Sequence, residues 1–280
     1  MPAQLIDGAA LARHKLSELK QIVISLQARG VIPGLATVQV GDDPASRVYI
    51  RNKTRACAEA GVKSVHHDLP ATATVADVLQ LIERLNHDTA VHGIIVQLPL
   101  PKHLDARRMS QAIAVDKDVD GFNWRNLGAI VEGAPGIVPC TPSAAMAMLD
   151  SANVPVEGRH AVVVGRSNIV GKPVALLLIA RGATVTVCNS RTPDLGAITR
   201  QADILVVATG KAGLITRGMV KPGAAVIDVG INRLPTGKIA GDVAFDEVTE
   251  VAGWITPVPG GVGPMTVAML VDNTVKAAGN

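Results

Sequence analysis

Tyr49 and Lys53 stand four residues apart in SRVYIRNKTRACAEAG, residues 46–61. Four residues is just over one helical turn, so in a helix the phenol ring and the amine rise from the same face. The ring offers a flat wall. The amine can take up and release a proton once its charged form is disfavoured. Arg47, Arg51 and Arg55 share the stretch, so an ordinary solvated basic face fits the spacing as well. Farther along, Gln97 in GIIVQLPLP (93–101) and Asp120 in DKDVDGF (116–122) supply a neutral amide and a carboxylate. Gln97 falls where an aliphatic strand breaks, and strand ends are where α/β proteins assemble sites. PVPGGVGPMT (257–266) is dense in Gly and Pro and opens a helix. It suits close backbone approach to a flat ligand, or a hinge, or both.

The second half of the chain carries a different chemistry. In HAVVVGRSNIVGKPVALLLIARGATVTVCNSRT (160–192), a strand ends at Gly165, and Arg166, Ser167 and Asn168 lead into a helix containing Gly171. Such a unit aims free backbone N–H groups and a positive helix end at a pyrophosphate. The spacing is Gly-x5-Gly rather than G-x-G-x-x-G, so this stretch alone also suits glycines used only for packing. The next strand ends in Ser190-Arg191, where dinucleotide folds read the adenosine ribose. An Asp or Glu there selects NAD, whereas an Arg accommodates a 2′-phosphate. Arg191, with Arg166 on the neighbouring loop, therefore points to NADP.

These residues need a scaffold, and the pattern supplies one by alternating helix and strand. Helices are expected over 8–29, 44–60, 74–88, 142–152 and 170–181, and from 264 to the end. Strands are expected over 34–41, 63–70, 91–101, 159–165, 184–189, 203–209, 224–230 and 253–257. Residues 115–143 read as functional loop and linker. The fold class is α/β: an N-terminal α/β substrate domain over 1–139, completed by the helix 264–280, and a parallel-sheet domain over 140–263, with a cleft between them. Of the 280 residues, 48% are apolar but only 2% aromatic. That suits aliphatic βα layers and disfavours readers of single-stranded nucleic acid, which need stacking platforms. The net charge of +3 comes without any long basic block. Cys57, Cys140 and Cys188 form no CxxC pair, and the histidines make no metal-ligand pattern. No secretory signal or membrane span is visible. The expectation is a cytoplasmic protein with no metal, nucleic-acid or membrane partner.

GDDPASRVYIRNK, GIIVQLPLP, DKDVDGFN, PCTPS, VVVGRSNIVGKP, GDV and PVPGGVGPMT occur in that order. Together they closely resemble the bifunctional methylenetetrahydrofolate dehydrogenase/methenyltetrahydrofolate cyclohydrolase family. The resemblance implies a Rossmann-like NADP-binding domain, tetrahydrofolate substrates and a homodimer. By position, it implies that Lys53 is the catalytic lysine, Tyr49 the folate-stacking ring, Gln97 the lysine's support and Asp120 the holder of the pterin edge. Gly165, Arg166, Ser167, Ser190, Arg191 and Ile231 fall at cofactor positions. Leu98, Pro259, Gly260 and Gly261 fall, with Tyr49, Gln97 and Asp120, at folate positions. Asn189 stands where the family often has His, Ala144 where it often has Gly, and Ala244 where Asp is frequent. The implied reactions are NADP-dependent oxidation of 5,10-methylenetetrahydrofolate to the methenyl form, then hydrolysis to 10-formyltetrahydrofolate. Competing readings are a shikimate-type NADP dehydrogenase and a non-catalytic NADP sensor.

Overall fold

A computed structural model describes residues 2–279. It opens with β1 (Gln4–Leu5), α1 (Gly8–Ala28), β2 (Gly34–Val40), α2 (Pro44–Ala60), β3 (Lys63–Leu69), α3 (Val75–His87) and β4 (Gly93–Val96). Two short helices, α4 (Ala106–Ala112) and α5 (Trp124–Glu132), precede α6 (Cys140–Ser151). Next come β5 (His160–Val164), α7 (Gly171–Ala180), β6 (Thr184–Cys188), α8 (Leu195–Thr199), β7 (Ile204–Val207) and β8 (Ala225–Asp228). A hairpin of β9 (Asn232–Arg233) and β10 (Ile239–Ala240) leads to α9 (Phe245–Thr249), β11 (Trp254–Ile255) and α10 (Val262–Gly279).

The chain divides into two compact units. The first comprises residues 13–140 and 267–279 and is built on a parallel sheet in the order β3-β2-β4. All seven residues of β2 are buried, which is why GLATVQV reads as a continuous run rather than an alternation. Val38, Ile82, Ile94 and Met109 lie in its core. Fully burying such a side chain contributes about 1.5–3 kcal/mol, so aliphatic packing holds the unit together while caps set where helices begin and end. The Asp43 carboxylate accepts from the Ser46 N–H, Pro44 follows it at the first helical position, and Gly61 ends α2 in the left-handed conformation. At α3, Thr74 and Asp77 form a reciprocal capping box.

The second unit comprises residues 2–12 and 141–266. Its six parallel strands run β1-β11-β8-β7-β5-β6, around a core that includes Val162, Val164, Leu205, Val207 and Val226. The chain leaves β5 toward β6 and returns on the opposite side to β7, so the strand order reverses between β5 and β7. In open parallel sheets, ligands bind beyond the strand ends at this kind of reversal.

Three expectations need correction. Residues 1–139 do not all belong to one unit. Gln4 and Leu5 pair in parallel with Trp254 and Ile255, and Ala3 enters the core of the second unit. A two-residue strand carries no readable period, and only its long-range partner reveals it. The stretch 115–143 is not a linker either, because it contains α5 and the start of α6. Asn123 caps α5 by accepting from the Arg125 N–H, and Gly133 closes it in the left-handed conformation. Buried Asp118, Asn123 and Asn126 pack beneath. Finally, the strand expected over 91–101 covers only Gly93–Val96, with a cis Leu98–Pro99 bond beyond it. Proline has no N–H to continue a ladder.

Candidate functional site

In the first unit, the regular turn of α2 brings Tyr49 and Lys53 onto one face. Tyr49 is 40% exposed and Lys53 is half-buried. The Lys53 Nζ donates to Gln97 Oε1 at 3.2 Å. Gln97 is itself fixed at two points. Its backbone N–H donates to Val38 O at 2.8 Å, and its Nε2 donates to Leu98 O at 2.7 Å. The buried Ser46 hydroxyl donates to the same Leu98 carbonyl at 3.3 Å. With its amide N–H engaged, Gln97 can present only its oxygen to the amine.

Asp120 reaches the same neighbourhood on the 116–122 turn. Burial pushes its carboxyl above the ordinary range, and the nearby Lys53 ammonium opposes that rise. Burial also pushes the Cys57 thiol, one turn along α2, up to about 12, again against Lys53. Cys140 is raised well above its usual value by burial first and then by Asp120, with Lys53 opposing. One cation therefore sits among a carboxylate and two neutral thiols. Asp118 shapes the turn from below. Its Oδ2 accepts from the Asn123 N–H at 2.7 Å and the Asn126 amide at 3.0 Å. Asp118 is 1% exposed, and burial lifts its pKa to about 6.

Sequence reasoning missed Ser46, Asp118 and Asn273. Asn273, on α10, donates through Nδ2 to Val119 O and Val138 O, both at 2.9 Å. It thereby ties the residue before Asp120 to the approach to α6. The available signal was Asp272-Asn273-Thr274 within an otherwise apolar helix, since buried polar side chains need partners.

In the second unit, Gly165 follows β5 with φ +131°, and a Cβ there would lie 2.3 Å from Ala208 O. A Cβ at Gly171 would lie 2.2 Å from Gly165 O. Only glycine at both positions lets strand, turn and helix close up this tightly, leaving a cradle at the N-terminus of α7. Ser167 Oγ accepts from the N–H groups of Val170 at 3.1 Å and Gly171 at 3.3 Å. Its hydroxyl proton remains available to donate. Arg166 is exposed on this loop. After β6, Asn189 Oδ1 accepts from the Arg191 N–H at 3.0 Å, and the Asn189 N–H donates to Thr192 Oγ1 at 2.9 Å. Asn189 thus builds the turn that presents exposed Ser190 and Arg191. Ile231, 47% exposed, lies after β8 beside the start of α10, with its Cδ1 3.7 Å from where a Gly263 Cβ would stand. Pro259 follows a cis peptide bond, and Gly260 has φ +107°. A Cβ on Gly261 would lie 2.5 Å from Pro257 O. Pro259, Gly260 and Gly261 belong to the unit of the dinucleotide loops, whereas Tyr49, Lys53, Gln97, Leu98 and Asp120 belong to the other.

One unit is a parallel sheet with a glycine cradle at its reversal and the other carries an amine, an amide and a carboxylate, the parts of a two-domain α/β oxidoreductase. The catalytic domain of tetrahydrofolate dehydrogenase/cyclohydrolase matches residues 6–120, and the NAD(P)-binding domain of the same family matches residues 139–280. The chain belongs to the tetrahydrofolate dehydrogenase/cyclohydrolase family. It is 58% identical over 278 residues to the bifunctional protein FolD of Bordetella bronchiseptica, covering 99% of this chain and 98% of that one. The crystal structure of the Campylobacter jejuni bifunctional enzyme FolD superposes with a TM-score of 0.98, at 49% identity and 99% coverage of both chains. The Trypanosoma brucei methylenetetrahydrofolate dehydrogenase-cyclohydrolase, complexed with NADP and an inhibitor, gives 0.95 at 42% identity, covering 100% of this chain and 98% of that one. The chain is thus a bifunctional dehydrogenase and cyclohydrolase. Among the described residues, no helix is long and apolar enough to cross a membrane.

Proposed function

We propose that one amine, Lys53, serves both reactions of a tetrahydrofolate-bound carbon, with NADP as the redox partner. The observation that carries this reading is the 3.2 Å hydrogen bond from Lys53 Nζ to an amide that is itself anchored. Tyr49 supplies the flat wall for the folate, and Asp120 accepts hydrogen bonds from the amino and ring N–H groups of the pterin. Leu98, Pro259, Gly260 and Gly261 complete the folate contacts. Holding the one-carbon bridge in a fixed orientation is the protein's principal contribution to the oxidation.

NADP, when bound, supplies the two-electron acceptor. The cradle of Gly165, Arg166 and Ser167 fits its pyrophosphate, Ser190 and Arg191 its 2′-phosphate, and Ile231 its ring face. In the hydrolysis, water adds to the cationic methenyl carbon. Lys53 takes one proton from that water and passes it to the ring nitrogen whose bond to carbon breaks, while the second water proton leaves to solvent as the carbinol oxygen becomes the formyl carbonyl. The positive methenyl group favours a neutral amine beside it. Gln97 orients that amine without the counter-charge that would hold it protonated. Positioned acid–base groups contribute about 10²–10⁴ in rate. Lys53→Met should therefore lower cyclohydrolase turnover at least about 100-fold with little change in melting temperature. Normal turnover would remove the lysine from this role.

The same reading makes the protein a homodimer in the cytoplasm. A reducing compartment suits three buried, unbridged cysteines. Sedimentation at twice the mass of the chain is the expected result, and a monomer at micromolar concentration would contradict it.

A further inference from the structure

The GDV segment, residues 241–243, has no part in the functions assigned above, yet it contains a fully buried carboxylate. Asp242 is 0% exposed. Its Oδ2 accepts from the Thr209 N–H at 2.5 Å, the Thr209 hydroxyl at 2.9 Å and the Gly210 N–H at 2.9 Å. Its Oδ1 accepts from Asn232 Nδ2 at 2.9 Å. Burying a carboxylate is costly unless donors converge on it, and here four do.

These four donors come from two segments, the loop after β7 and the first residue of β9. Thr209 and Gly210 follow β7, and Asn232 directly follows Ile231 beyond β8. Asp242 is held in turn by the last residue of β8, since its own N–H donates to Asp228 Oδ1 at 3.0 Å. Asp228 also accepts from the N–H groups of Gly230 and Val243, each at 2.9 Å. The fit leaves no slack: a Cβ on Gly230 would lie 2.2 Å from the Asp242 carboxylate carbon. Across the strand-order reversal, Gly165 rests on Ala208, the residue immediately before the turn that Asp242 grips.

We propose that Asp242 is a positioning residue of the cofactor site, fixing the loop after β7 and the loop after β8 in one arrangement toward the dinucleotide. The proposal rests on the cofactor roles given above to Gly165 and Ile231. Asp242 does not meet the ligand itself, because its oxygens are occupied by the protein's own donors. What it sets is where Gly210, Ile231 and, through Ala208, the Gly165 cradle stand before the cofactor arrives. Such preorganisation lowers the ordering cost of binding.

The test is steady-state kinetics with Asp242→Asn. With its oxygen kept on the Thr209–Gly210 donors, an asparagine turns its NH2 toward Asn232, whose amide then either meets it donor against donor or flips and gives up its bond to Ala240 O at 3.3 Å. The KM for NADP⁺ should rise at least about tenfold, while kcat at saturating cofactor stays within about threefold. The double variant Asp242→Asn/Asn232→Asp restores a donor facing an acceptor and should recover most of that loss. An unchanged KM in the single variant, or no recovery in the double, would overturn the proposal. If Asp242→Asn does not fold, Asn232→Ala decides: a raised KM for NADP⁺ supports the tie, and an unchanged one refutes it. The parent protein is measured first. If it lacks NADP⁺-dependent methenyl formation, the cofactor reading fails; if it is active but the variants match it, only the positioning role fails.

Discussion

Lys53 faces an amide where a carboxylate would make a simpler ion pair. A carboxylate at hydrogen-bond distance would stabilise the ammonium and make it a poor base. Gln97 offers direction without charge, and Leu98 O prevents its amide from turning over. The carboxylate that does lie nearby, Asp120, is desolvated and is reserved in this account for the pterin edge. The same separation of geometry from charge appears after β6. Asn189 forms the turn with its side chain, which leaves the exposed Arg191 guanidinium for the 2′-phosphate role proposed above. Arg191→Ala should therefore raise the KM for NADP⁺ by at least about tenfold and alter that for NAD⁺ far less, as measured by initial rates with each. An equal loss with both cofactors would mean that the arginine does not read the 2′-phosphate.

Among the elements, the 116–126 segment bears most directly on the site, because it carries Asp120 and lacks regular structure before Trp124. Its anchor is the Asp118 carboxylate. Asp118 ordinarily titrates at 3.8 but reaches about 6 in the folded protein. The folded state thus binds the extra proton between these values. The stabilisation from protonated Asp118 is complete below about 3.8 and is lost as pH rises through about 6. At neutral pH the deficit is at most about 3 kcal/mol. Urea unfolding of the parent and of Asp118→Asn across pH 4–7 should show the parent losing stability relative to the variant as pH rises. A difference constant across that range would contradict the assignment.

At the scale of the whole chain, what could be read in the sequence depended on how far apart the interacting residues lie. The pairing of Tyr49 with Lys53 was visible because α2 is regular, with Asp43, Pro44 and Gly61 marking its ends. The cradle at Gly165 and Gly171 was visible because strand, turn and helix are consecutive. The grouping of residues 2–12 with 141–266 was not, since β1 finds its partner some 250 residues away at Trp254 and Ile255. For the same reason Asn273 passed unnoticed, and Asp242, though part of the GDV motif, was given no role. Each looks like one polar residue among many until the chain closes and brings carbonyls or N–H groups to it. The glycines and prolines of 115–143 disguised α5, whose nine residues are too few for a clear period.

The proton relay proposed for the amine of Lys53 is tested most directly by chemical rescue. Lys53→Ala should have little cyclohydrolase activity, and small primary amines added to the assay should restore turnover in proportion to their concentration and basicity. A folded Lys53→Ala protein that retains full turnover, or that no amine revives, would contradict a proton relay through this side chain.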